Sequence, residues 1–99
     1  MALPARDHRI PLEAATALTR RYRERGRPDA MRAGAFHADQ VKELLAQPGC
    51  VGLRVYHGIK DDGAGALILV GIDSNEHDLT GVMLEFCFPC PPFCNGGGL

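Results

Sequence analysis

The sequence predicts an α+β fold: two N-terminal helices packed on a small, mainly antiparallel sheet of two to three strands, followed by an irregular Cys/Pro/Gly tail. Three observations predict it. Apolar residues recur at three- and four-residue spacing up to Leu45, they alternate with period two from Val51 to Phe86, and the periodicity stops at Pro89. A chain of 99 residues with 45% hydrophobic and 23% charged residues has the composition of one globular domain, and no self-similar repeat divides it. The expected organisation is a flexible lead over residues 1–9, a single α+β domain over 10–88 and an exposed tail over 89–99.

Residues 1–9 mix Pro4, charges and Leu3 without period. A helix should begin near Leu12, where Pro11 suits the first turn and Glu13 suits its positive dipole end. Leu12, Ala15, Leu18 and Tyr22 then fall on one face, and Gly26 and Pro28 end the helix. Its C-terminal part carries Arg20, Arg21, Arg23 and Arg25, with Arg27 beyond, where cations oppose the helix dipole. Residues 26–36 read as a connector. A second helix fits His37 to Gln47 with Val41, Leu44 and Leu45 on its buried face, and Pro48-Gly49 ends it.

The period then changes. Val51, Leu53 and Val55 alternate with Gly52, Arg54 and Tyr56, as in a strand with one buried face. The Asp61–Gly65 turn leads into Ala66–Ile72, apolar on both faces and so central in the sheet. A polar loop runs from Asp73 to Asp78, and Val82, Leu84 and Phe86 alternate as a third strand. Asp73–Asp78 lacks the Gly and the Glu of a calcium loop and reads as a hairpin loop.

Net charge excludes one class of function. At −1 overall, the chain lacks the basic excess with which nucleic-acid binders neutralise phosphates. Nor is there an apolar run of the ~18 residues that a membrane span needs, or a signal-peptide core, so the expected location is cytoplasmic, without membrane association. In that compartment the four cysteines are expected as thiols or metal thiolates.

The segment Pro48–Gly58, with Leu53-Arg54-Val55-Tyr56-His57-Gly58 at its centre, and the later Cys90-Pro91-Pro92-Phe93-Cys94 resemble a group of small bacterial proteins that similarly begin with a Tyr-Arg-containing helix. The resemblance covers most of residues 10–94 and implies one folded unit with a tail. It implies no activity.

Cys87, Cys90 and Cys94 have the spacing C-x2-C-x3-C. With Cys50 or a histidine they can supply four soft ligands to zinc or an iron–sulfur cluster. Extended geometry opposes this, because three residues of trans polyproline-like chain separate Cys87 from Cys90 by ~9–10 Å and four separate Cys90 from Cys94 by ~12 Å. Both pairs must turn if they are to share a metal or a disulfide. Cys50, between a helix stop and a strand, has a structural thiol as its plainer reading. Tyr56 and His57 stand at a strand end without a nucleophile–base–orienter set.

The expected function is therefore non-enzymatic: an interaction module displaying Pro91, Pro92 and Phe93, with the neighbouring cysteines, to a protein partner, a metal or another thiol. The alternative is a precursor whose Cys/Pro tail is modified by a dedicated maturation enzyme, the body serving for recognition.

Overall fold

The computed structural model describes residues 3–27, 29–96, 98 and 99. Met1 and Ala2 of the lead, Pro28 as a helix stop and Gly97 of the tail lie outside the described residues. The elements in chain order are α1 (Leu12–Arg25), β1 (Ala33–Ala35), α2 (Ala38–Leu45), β2 (Gly52–Ile59), β3 (Gly65–Ile72), β4 (Asp78–Leu84) and β5 (Phe88–Cys90). The fold is α+β, with both helices N-terminal to an antiparallel sheet of order β2-β3-β4 and a separate antiparallel ribbon of β1 and β5. Among the described residues, no helix is long and apolar enough to cross a membrane.

β3 is central, as its two-sided apolar sequence requires. The buried core consists of Leu44 from α2 with Ala66, Leu69, Val70 and Ile72 from β3. α2 reaches β3 by close backbone approach at Gly71, where a Cβ would stand 2.9 Å from Cys50 Sγ and 3.5 Å from the Leu44 carbonyl oxygen. Glycine is thus a packing requirement there. Gln47 then ties the helix end to the sheet: its Nε2 donates to the Leu44 carbonyl at 2.8 Å, and its Oε1 accepts from the Val82 amide at 2.9 Å.

The opposite face of β3 carries Ala66, Ile68, Val70 and Ile72. Arg54 of β2 and Asp78 of β4 form an ion pair at 2.7 Å, and the Tyr56 hydroxyl donates to the same carboxylate at 2.5 Å, closing a polar bridge between the two outer strands. The lead, expected to be flexible, is anchored at this end of the sheet: the Leu3 amide donates to the Ser74 carbonyl at 2.9 Å. The turns follow their sequence chemistry. Gly63 takes φ 88° between β2 and β3, and the Asp73 carboxylate accepts from the Asn75 and His77 amides at 2.9 Å each between β3 and β4.

Several expectations about burial and boundaries are corrected. α1 forms where expected and ends when the Gly26 amide bonds to the Tyr22 carbonyl, yet none of its residues is buried. Leu12, Leu18 and Tyr22 share a stripe that the sheet does not cover, so the stripe is amphipathic without being core. Leu45 of α2 is likewise exposed, and so are Val51, Leu53 and Val55, because α2 lies over β4 and β3. β4 starts at Asp78, ahead of the expected Val82, and its register shifts opposite Val70/Gly71. It ends at Leu84, since Phe86 takes φ 53°, a left-handed conformation that ladder pairing does not accommodate.

Candidate interaction groove and cysteine tail

The tail does not leave the domain at Pro89. Phe88–Cys90 returns as β5 and pairs with Ala33–Ala35 in the register Ala33↔Cys90, Gly34↔Pro89, Ala35↔Phe88. Proline is tolerated because this is a short ribbon with an open edge, where a missing donor leaves no central ladder broken. Gly34 allows the approach: a Cβ there would stand 2.6 Å from Cys87 Sγ and 3.0 Å from Leu67 Cδ1. The Arg32 amide continues the ribbon by donating to the Cys90 carbonyl at 2.7 Å.

Beyond β5 the chain reverses. The Phe93 amide donates to the Pro89 carbonyl at 2.8 Å and the Cys94 amide to the Pro92 carbonyl at 2.9 Å. The Cys90-Pro91 and Pro91-Pro92 peptide bonds are both cis, and the Cα atoms of Cys90 and Cys94 stand 4.9 Å apart, joined by a disulfide. The extended reach that kept this pair apart in the sequence reading assumed trans prolines, and the expectation of four thiols gives way to one disulfide and two free cysteines. Aromatic edges pack the turn onto the ribbon: Phe88 meets His37 at 5.8 Å and Phe93 at 5.2 Å between ring centroids, both T-shaped.

The turn forms one wall of an open groove of about 1010 Å³, and α1 forms the opposite wall with Leu18, Tyr22 and Arg23. The Tyr22 hydroxyl donates to the Met31 carbonyl at 3.1 Å, which joins the helix to the segment leading into β1. His57 and Leu67 contribute from the sheet, and Cys90, Phe93 and Cys94 from the tail. Arg23, Arg27 and Arg32 line it as well, so an apolar cleft carries positive charge at its margins. Arg32 also reaches the disulfide itself, with Nη2 3.8 Å from Cys94 Sγ.

The candidate cysteines are therefore distributed unequally. Cys90 and Cys94 are bonded to each other, Cys87 packs against Gly34, and Cys50 sits beneath α2 with its thiol donating to the Gly52 carbonyl at 3.3 Å. Among the described residues, no three His, Cys, Asp or Glu side chains converge as a metal-ligand group. Pro91, Pro92 and Phe93, expected as an interaction tail, are exposed. Sequence reasoning missed Arg32 and β1: Ala33-Gly34-Ala35 has no apolar period, and its pairing depends on a partner more than fifty residues downstream. The one available signal was the run of small residues, which permits close backbone approach.

No protein-family model, no curated protein and no solved structure matches the chain.

Proposed function

We propose that the chain is a small non-enzymatic interaction module that presents residues 89–99 to a protein partner, with thiol–disulfide exchange at Cys90 and Cys94 as the chemistry of engagement. The observation that carries this reading is the placement of a closed Cys90–Cys94 pair and the exposed Phe93 on the wall of an apolar, arginine-margined groove. Phe93 supplies an aromatic anchor of the kind that dominates small interfaces. Arg32 beside Cys94 favours its thiolate as leaving group when an incoming thiolate attacks Cys90, because a nearby cation stabilises sulfur anion. In the cytoplasm the pair would rest as a dithiol and close on oxidation. Zinc or an iron–sulfur cluster would compete for the same sulfurs only in the dithiol form, since a disulfide has no thiolate to offer.

A trapping experiment tests the reading. In Cys94→Ser, the Cys90 thiolate can attack a disulfide of an oxidised partner and expel that partner's second sulfur as thiolate, and the mixed disulfide so formed has no Cys94 to resolve it. A reductant-sensitive adduct with one defined protein is expected from that variant and not from the Cys90→Ser/Cys94→Ser double variant. Absence of any adduct specific to Cys94→Ser, together with unchanged tail accessibility on reduction, would reject exchange as the mode of engagement.

A further inference from the structure

β2 is an edge strand with nothing to protect it. It pairs with β3 without interruption from Gly52↔Ile72 to Ile59↔Gly65, and among the described residues no other strand takes up its outer row of amides and carbonyls. Natural edges are blunted by lysine, proline, a bulge or a covering element. The eight residues of β2 contain neither lysine nor proline, their one charged side chain, Arg54, is drawn across to Asp78 of β4, and the register is free of the third. The fourth is missing on one face, where Leu53 is 42% exposed, Val55 48% and Ile59 83%, with Val51 just before the strand at 56%. Since side chains alternate along a strand, these four odd-numbered residues share that face.

The chain as a whole, of which this face is one part, exposes more surface than its size requires. The accessible surface is 7739 Å². A folded monomer of 10.7 kDa is expected to expose about 5,500 Å². The excess, roughly 2,200 Å², is more than the ~800 Å² that each partner contributes to a standard interface. Among the described residues the buried hydrophobic core numbers five, which fits the same conclusion. With a net charge of −1, two copies meet with little overall repulsion.

We propose that β2 pairs antiparallel with β2 of a second copy, continuing two three-stranded sheets into one of six strands about a two-fold axis through Val55. Only residues on the same face oppose each other in an antiparallel pair, so the axis falls on a residue and not between two. Centring on Val55 sets Val55 against itself, Leu53 against His57 of the second copy, and Val51 against Ile59. On the other face Arg54 meets Tyr56, and Gly52 meets Gly58. Moving the axis one residue back would set Arg54 against Arg54, and moving it two residues forward would set His57 against His57. The Val55 register avoids both like pairs and buries the four apolar residues together. Such an interface is isologous and closed, so it stops at a dimer.

Light-scattering mass after size exclusion reads the state directly. At high micromolar concentration the wild-type chain is expected at twice 10.7 kDa. Val55→Lys places two ammonium groups face to face on the axis and should give a monomer with the wild-type far-UV spectrum. Ile59→Lys, at a position already open to solvent and so harmless to the monomer fold, should raise the dimer dissociation constant about tenfold or more. Met83→Lys, on β4, should leave the dimer intact. A monomeric wild type, a larger or open-ended assembly, or a dimer that Ile59→Lys leaves unchanged would each overturn the proposal. None of these readouts depends on the tail.

Discussion

The two ends of β3 are held by different physics. At its C-terminal end, Leu69 to Ile72 are all buried, and Leu44 of α2, with Gln47 just beyond the helix, closes over the face that Gly71 presents. At its N-terminal end, Gly65 and Leu67 face Met31, Gly34 and Cys87, in a region where α1, β1, β5 and the tail contribute no buried residue. The first region is stabilised by apolar burial. The second is stabilised by a short backbone ribbon, aromatic edges and a disulfide. A chain with little core can still order a site by local ties, and that site will yield before the core does.

The largest expected effect belongs to the core. Leu44 is wholly buried, so Leu44→Ala should cost about 2–5 kcal/mol through lost burial and a cavity. Leu18→Ala in the exposed stripe of α1 should change stability by less than about 0.5 kcal/mol. Urea unfolding of both variants measures the contrast. Equal losses would mean that α1 is part of the core and that the two regions do not differ as described.

Next in size is Gly34→Ala. The new methyl group would crowd Cys87 Sγ and Leu67 Cδ1, and overpacking of this kind costs about 1–3 kcal/mol. The cost should be local. Amide exchange is expected to quicken in β1 and β5 while protection in Leu69–Ile72 is kept. Uniform loss of protection would make the ribbon and the sheet one cooperative unit, with no weakly held region to set against the core.

What the sequence made legible follows the same division. α2, β2 and β3 were readable because period and turn residues act locally, and Asp73–Asp78 was readable as a loop because its carboxylate caps amides within four residues. Burial was less readable, because Leu12, Leu53 and Val55 have the spacing of core residues and only a covering element can make them so. β1 was invisible, since three small residues become a strand only when Phe88–Cys90 returns to pair with them. In the site, Cys87, Cys90, Cys94 and Phe93 were found by residue type. The Cys90–Cys94 closure was not, because it depends on the path through Pro91 and Pro92, and Arg32 was missed because its partner in space lies sixty-two residues away in sequence.

The smallest expected effect lies in the loop that closes the firmly held end of β3, and it is one of pH. Asp73 is held below the ordinary carboxylate value, first by the amide of His77 and then by that of Asn75, with the His77 ring adding a weaker attraction, while partial desolvation opposes these. A carboxyl whose folded value is depressed contributes stability above its unfolded value of about 3.9 and loses it as pH falls through the lower folded value. The loop should therefore be insensitive to pH near neutrality and loosen only in acid. Amide shifts of Asn75 and His77, followed by NMR from neutral to acid pH, should move together with a midpoint below that of a free aspartate. In Asp73→Asn the side-chain oxygen can still accept both amides, so the loop should persist while this acid transition disappears. A midpoint at or above the free value would show that the amide bonds do not hold the carboxylate in solution, and the β3–β4 loop would then join the loosely tied region of the molecule.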